Sequence, residues 1–377
     1  MLQNKLTYGK TIGIIGGGQL GRMMTTQAKH MGYRVVVLDP TPDCPTAQVA
    51  DDQIVAKYDD LDAIKELAEK SDVVTYEFEN VDLKAAEFLE GKGILPQGAR
   101  SLRITQDREV EKEAIVESGQ PVAPYKIVTT APMLKDAIAE IGYPLVVKTC
   151  RGGYDGKGQV KLENEDNLSE AEAMLEKNGR VIVEKWVSFD KEISIVFSRK
   201  ANGDISYFPV AENIHRNHIL YTTIVPARVS ESTVEKAKEA AAAIASTINV
   251  VGTFAIEMFV QGENILINEM APRPHNSGHY TIEACNVSQF EQHVRAICNL
   301  PLAPIYFHGA AVMLNLLGKD VDLFFNRLNE IGYGHVHMYG KEENKPERKM
   351  GHVTYIGDNF SNLYRDLIEK SILEDKN

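Results

Sequence analysis

Hydrophobic positions over the first hundred residues change their period in a repeating order. Ile12, Ile14 and Ile15 make a short apolar run that reads as a buried strand. Gly16-Gly17-Gly18-Gln19-Leu20-Gly21 follows as a turn, and Leu20, Met23, Met24, Gln27 and Met31 then fall near one helical stripe. Val35-Val36-Val37-Leu38 is continuously apolar, as suits a parallel strand covered on both faces. Leu61, Ile64, Leu67 and Ala68 return to helical spacing, and Val73-Val74-Thr75-Tyr76 to a strand. This alternation predicts a doubly wound, Rossmann-like α/β domain to about residue 100.

Beyond it the pattern is mixed. Ser101 to Ser118 predicts one helix, stopped by Gly119 with Pro121 beyond it. A small α+β unit follows, carrying a strand that ends near Lys148 and another at Val181-Ile182-Val183, and is expected to act as a lid. Ile193–Phe197, Asn202-Gly203 and a strand through Tyr207 predict a hairpin. Ser232-Thr233-Val234-Glu235 reads as a capping box opening a helix with Val234, Ala237, Ala241, Ile244 and Ile248 on one side. A strand at Ala310–Leu314, a helix and a basic segment near 341–352 complete the chain. The expectation is an α/β and α+β multidomain protein divided at 1–105, 106–190 and 191–377.

Composition narrows the function. A chain of 377 residues exceeds one ordinary core. Its net charge of −12 argues against nucleic acid as a partner. Cys44, Cys150, Cys285 and Cys298 form no Cys-x-x-Cys pair and are expected to be reduced thiols in a cytoplasmic protein. Met1 to Lys5 lacks the apolar core of a leader. The uncharged run Ala240 to Ile256 carries Ser246, Thr247 and Asn249 and breaks at Gly252. It predicts a helix end, a turn and a strand, and no membrane span.

Chemistry concentrates at a few places. Val146-Val147-Lys148 runs into Thr149-Cys150-Arg151-Gly152-Gly153-Tyr154-Asp155-Gly156-Lys157-Gly158, a cationic glycine loop able to cover phosphates. Lys148 falls on the strand face opposite Leu145 and Val147. Gly158 stands where a Walker loop would carry Ser or Thr, and Gln159–Leu162 alternates like a strand, so this is a different phosphate cover. Thr253–Val260 and Ile265–Met270 predict paired strands. With Gly262, Glu263 and Asn264 as a three-residue loop, Glu257 faces Glu269. Opposed buried carboxylates call for a divalent cation, and Asn268 beside them suits magnesium. Pro272 to His279 adds Arg273, His275 and Asn276. Lys341, Arg348 and Lys349, with His352 nearby, suggest a phosphate contact. Gly16-x-Gly18-x-x-Gly21 with Asp39 has the shape of a dinucleotide fingerprint and keeps an oxidoreductase in play.

Taken together, these motifs, with Tyr76 to Val81 and Arg348-Lys349-Met350-Gly351-His352, resemble the ATP-grasp superfamily over most of the chain. The resemblance is nearest to its purine-pathway branch, which carboxylates an aminoimidazole ribonucleotide. It implies an ATP-grasp fold, commonly a homodimer, that uses ATP and Mg2+ as a carbon–nitrogen ligase. The reaction implied joins bicarbonate to 5-aminoimidazole ribonucleotide through carboxyphosphate, giving the N5-carboxylated product, ADP and phosphate. By this resemblance Arg108, Lys148, Gly153, Tyr154, Asp155, Gly156, Lys157 and Gly158 meet the ATP phosphates. Glu184, Lys185, Trp186 and Val187 form the adenine hinge, with Glu192, His215, Asn268 and Glu269 as further ATP contacts. Glu257 and Glu269 hold the metal. Tyr154, Arg273, His275, Asn276 and Lys341 are implied as catalytic. Gln19, Leu20, Glu77, Glu79, Lys341, Arg348 and Lys349 are implied to hold the ribonucleotide, which turns the first glycine loop into a mononucleotide phosphate site. The alternatives are an ATP-grasp ligase using formate or another acyl donor, a dinucleotide-dependent oxidoreductase, and a nucleotide-binding regulator without turnover.

Overall fold

The computed structural model describes residues 5–153 and 157–373. Its N-terminal sheet has the order Asp52–Ile54, Arg34–Leu38, Thr11–Ile15, Val73–Tyr76, and every pairing is parallel. Helices Gln19–His30 and Leu61–Lys70 follow the strands as the spacing predicts. The region expected to be one helix from Ser101 to Ser118 is two, Gly98–Thr105 and Arg108–Glu117. Asp107 starts the second by accepting the Glu109 N–H at 3.2 Å, a capping signal that the apolar pattern outweighed.

The region expected to act as a lid has, among the described residues, a four-stranded antiparallel sheet ordered Tyr125–Val128, Val181–Lys185, Leu145–Thr149, Gln159–Leu162. Leu145, Val147, Leu162, Val181 and Val183 pack with Leu134 and Leu175 of the two lid helices. Alternation of side chains along a strand then leaves Val146 and Lys148 on the other face, lining a cleft.

Among the described residues the largest sheet has nine strands. Lys191–Arg199 lies between Gly252–Gln261 and Ala211–Arg216, and the hairpin to Ile205–Tyr207 turns where Asn202-Gly203 predicts it. Ala310–Leu317, Lys349–Gly357 and His335–Met338 extend this same sheet. Helix Glu231–Ile248 packs Ala237, Ala240, Ala241 and Ile244 against Phe197, Phe254 and Ile256. Small side chains let it lie close, and enlarging one would cost about 1–3 kcal/mol by overpacking. Its cap is Ser230, which accepts the Thr233 N–H at 3.2 Å, two residues before the expected box. No helix among the described residues is long and apolar enough to cross a membrane.

A buried hydrogen-bond chain joins the N-terminal sheet to the large one. The Thr253 N–H donates to His293 Nδ1 at 3.0 Å, so the ring's proton sits on Nε2 and reaches Thr75 Oγ1 at 2.8 Å. Thr75 donates to Gln97 Oε1 at 2.6 Å, and Gln97 Nε2 donates to the Pro272 carbonyl at 3.1 Å.

Candidate active site

A cleft of about 1780 Å³ is lined by all three units of the chain. The N-terminal sheet contributes Gln19, Leu20, Glu77 and Glu79, and the lid contributes Lys148, Gly153, Lys157 and Gly158. The large sheet and its loops bring Glu192, His215, Glu257, Asn268, Glu269, Arg273, His275 and Asn276 to the same space, with Lys341, Arg348 and Lys349. Tyr154, Asp155 and Gly156 lie outside the described residues.

Glu257 and Glu269 are directly opposed across antiparallel strands, as expected, but the route differs. The turn is two residues long, with Gln261 paired to Asn264, and Asn268 is an extra residue that shifts the register between Met258 and Glu257. A one-residue slip would send the two carboxylates to opposite faces, and the bulge prevents it. Burial, then the neighbouring Glu269, raises the Glu257 carboxyl well above its ordinary range. Among the described residues no cluster of three His, Cys, Asp or Glu side chains could hold an ion alone. Two carboxylates completed by water and phosphate oxygens nevertheless suit magnesium, which keeps part of its hydration shell.

Lys148, Lys112 and Arg108 are held by acids. Lys148 Nζ donates to Glu184 Oε2 at 2.7 Å, and Lys112 Nζ lies 3.5 Å from Glu184 Oε1. Burial pushes Glu184 up, but Lys148 and Lys112 outweigh it and hold the carboxyl at about 2. Arg108 Nη1 lies 3.6 Å from Glu269. Glu184, expected in the adenine hinge, is therefore the ion-pair partner of Lys148 and Lys112. Lys185, Trp186 and Val187 line the cleft beside it, and Lys161 sits over the Trp186 ring at 4.0 Å. His215 Nδ1 meets Glu192 at 2.6 Å; burial lowers the ring's pKa, but Glu192 and Glu257 raise it overall.

The glycine loop is fixed at its base. Thr149 N donates to the Gly158 carbonyl at 2.8 Å, and Gly152 and Gly158 adopt a φ of +75°, which other residues rarely take. Arg151 donates to Asp107 at 2.8 Å, and Arg180 bridges Asp107 and Glu109.

The first glycine loop holds no vacant anion hole. Glu77 accepts the Gly21 N–H at 2.7 Å and the Gly18 N–H, and Asp39 accepts the Gly17 N–H at 2.7 Å. The chain's own carboxylates occupy the positions a pyrophosphate would need. This corrects both the dinucleotide reading and the expected phosphate site at these amides. Glu79 instead pairs with Arg273 at 2.7 Å, which fixes the guanidinium in the cleft. His275 Nε2 is 3.5 Å from Glu257, and burial lowers its pKa well below the ordinary histidine value. Asn276 exchanges both ends of its amide with Asn315, at 3.0 and 2.6 Å. Lys341 donates to the Lys349 carbonyl at 2.8 Å.

Comparison with known proteins places this architecture. Residues 9–106 match a ribonucleotide synthetase preATP-grasp domain, 113–290 an ATP-grasp domain, and 311–365 a phosphoribosylaminoimidazole carboxylase C-terminal domain. The N5-carboxyaminoimidazole ribonucleotide synthase of Bacillus subtilis (strain 168) is 51% identical over 92% of each chain. That of Staphylococcus aureus (strain COL) is 47% identical over 97% of this chain and 98% of its own. The chain belongs to the N5-carboxyaminoimidazole ribonucleotide synthase family. An ADP complex of one such synthetase superposes with a TM-score of 0.95 at 51% identity, covering 98% of each chain. The enzyme from Aspergillus clavatus, solved with ADP and 5-aminoimidazole ribonucleotide, superposes at 0.89 with 30% identity over 96% of this chain and 98% of its own.

Within this N5-carboxyaminoimidazole ribonucleotide synthase fold, several cleft residues carry no signal in the sequence pattern. Lys112 is buried and also donates to the Asn268 carbonyl at 3.0 Å, pinning the bulge. Glu111 accepts the Met270 N–H at 2.7 Å and is pushed by burial to about 7. Both sit in Glu109-Val110-Glu111-Lys112-Glu113, which looks like a solvated helix face. The Asp107 cap, which turns that helix, is the signal that could have found them.

Proposed function

We propose that this chain carboxylates 5-aminoimidazole ribonucleotide with bicarbonate and ATP; its relatives are named N5-carboxyaminoimidazole ribonucleotide synthases. The observation carrying this reading is that the glycine loop, Lys148 and the Glu257/Glu269 pair line one cleft with Arg273 and the basic 341–349 segment. That cleft can bring a nucleoside triphosphate, a small anion and a phosphorylated amine together.

In the proposed scheme bicarbonate oxygen attacks the γ-phosphorus and ADP leaves, giving carboxyphosphate. Lys148, Arg108 and the loop amides orient the phosphates and offset the charge that develops on the migrating group. Glu257 and Glu269 would hold magnesium, which when bound supplies further charge neutralisation to the phosphates. Arg273, fixed by Glu79, offers a planar guanidinium to the carboxyl group of the anhydride. The exocyclic amine then attacks the carboxyl carbon and phosphate departs. Carboxyphosphate decomposes in water, so the lid must exclude solvent before transfer. Gln19, Leu20, Lys341, Arg348 and Lys349 are assigned to the ribonucleotide, and Glu77 is assigned to shaping its floor. The same reading takes the enzyme to be a cytoplasmic homodimer divided near residues 105 and 190; sedimentation at twice the chain mass tests the assembly.

The oxidoreductase alternative is not favoured, because Glu77 and Asp39 fill the loop amides it requires. The deciding experiment measures ADP release with and without bicarbonate, formate and 5-aminoimidazole ribonucleotide. Full turnover only with bicarbonate plus the ribonucleotide supports the proposal; equal stimulation by formate overturns it.

A further inference from the structure

His275 ends a hydrogen-bond chain that the scheme above leaves unused. Its Nδ1 lies 2.8 Å from Ser277 Oγ and 3.3 Å from the Ser277 amide nitrogen. A backbone N–H can only donate, so this longer contact favours an accepting Nδ1 and a Ser277 hydroxyl that donates to it as well. Ser277 therefore turns its own hydroxyl proton to Nδ1 and presents a lone pair to Ser194, whose Oγ is 2.8 Å away. Ser194 accepts in turn from Asn213 Nδ2 at 2.9 Å, and Asn213 Oδ1 accepts from Thr223 Oγ1 at 3.1 Å.

Ser277, Ser194, Asn213 and Thr223 are all buried, and they come from three adjacent strands and the turn after the metal-site strand. Each hydroxyl passes its single proton in the same direction. Reversing the chain would set a proton on Nδ1 against the Ser277 N–H. The backbone of His275 is also clamped, since its N–H donates to Gln289 Oε1 at 2.9 Å and its carbonyl accepts from Gln289 Nε2 at 2.7 Å. The ring is thus held in position as well as in protonation pattern.

We propose that Ser277, Ser194, Asn213 and Thr223 are positioning residues that hold His275 in its Nε2–H tautomer, so that it meets the cleft as a hydrogen-bond donor to an anion and not as a proton acceptor. Nε2 lies on the cleft side, 3.5 Å from Glu257 Oε1. The identity of the anion, bicarbonate or its phosphorylated form, rests on the function proposed above; the tautomer does not.

Long-range proton–nitrogen correlation on full-length enzyme carrying nitrogen-15 histidine reads the tautomer directly. The His275 signals are assigned by their loss in His275→Asn. The expected spectrum has Nε2 protonated and Nδ1 bare; a proton on Nδ1 in the wild-type enzyme overturns the proposal. Ser277→Ala removes the hydroxyl donor, and Asn213→Asp, nearly isosteric, can only accept and so draws the Ser194 proton away from Ser277, freeing Ser277 to donate back along the chain. Either should shift the tautomer ratio by about tenfold. Each should lower kcat by up to about tenfold, with the KM for ATP little changed. An unchanged ratio in both folded variants also sinks the idea. If the tautomer behaves as expected while ADP release ignores bicarbonate, the reaction assignment falls and the positioning role stands.

Discussion

Glu257 and Glu269 face each other across two strands only because Asn268 is an extra residue in one of them. The short turn alone would pair Glu257 with Asn268 and send Glu269 to the other face. The bulge thus converts an ordinary hairpin into a two-carboxylate site, and Lys112 holds the bulge carbonyl in place. Without a cation the opposed acids repel. Glu257→Gln should therefore raise the melting temperature of the metal-free protein, by an amount corresponding to about 1 kcal/mol. It should also abolish the stabilisation that magnesium gives the wild type. Thermal melts with and without magnesium check both; a metal-dependent gain that survives the substitution counts against the site.

Glu111 gives a pH dependence with a defined sign. Burial lifts its carboxyl from 4.5 to about 7 in the folded protein. A raised folded-state value adds stability below the unfolded value, and that contribution is lost as pH rises through the folded one. Glu111→Gln should therefore gain on the wild type between pH 4.5 and about 7 and stay level above that. The gain is up to roughly 3 kcal/mol, at about 1.4 kcal/mol per pH unit. Urea unfolding of both proteins across this range measures the difference, which cancels the opposing buried histidines common to both.

Lys148 and Glu184 separate stability from chemistry. Lys148→Met leaves Glu184 with Lys112 at 3.5 Å as its nearest cation. The expected loss is about 3 kcal/mol, from a buried carboxylate left partly uncompensated. Adding Glu184→Gln should recover most of that stability without restoring ATP turnover. A double variant that regains turnover would remove Lys148 from phosphoryl transfer.

Glu77→Ala should open the anion hole that Glu77 fills. Freed Gly18 and Gly21 amides cost about 1–3 kcal/mol. Sulfate should then stabilise the variant but not the wild type, as read by thermal melts. Equal sulfate responses would mean that the carboxylate does not occupy those amides in solution.

Arg273→Ala should lose product far more than nucleotide. Coupled carboxylation is expected to fall on the order of 10²-fold or more while the Kd for ATP changes little. Product assay and calorimetry together decide it; a parallel loss of ATP binding would move Arg273 out of the carboxyl-handling role.

Much of the fold was legible from the sequence because its elements are strongly periodic and its chemistry sits at strand ends beside glycine. Val146-Val147-Lys148 is of that kind, whereas Ile267-Asn268-Glu269 lies inside a strongly apolar strand; both reach the cleft. The pairing of Glu257 with Glu269 was read correctly through the wrong loop, since a bulge leaves no mark in alternation. Lys112, Glu111 and Asn315 were missed because a helix rich in charges or one polar residue in an apolar strand looks like ordinary surface or core. The first glycine loop misled for the opposite reason: its spacing is that of a ligand site, but Glu77, brought in at the end of the neighbouring strand Val73–Tyr76, already satisfies it.

The buried path from Thr253 through His293, Thr75 and Gln97 to Pro272 has a further consequence. It ties strand Val73–Tyr76, which leads into Glu77, to the residue preceding Arg273 through buried side chains. Under the proposed function, the spacing of acceptor amine and guanidinium would then be preset, leaving closure only to deliver the triphosphate to a workbench already squared.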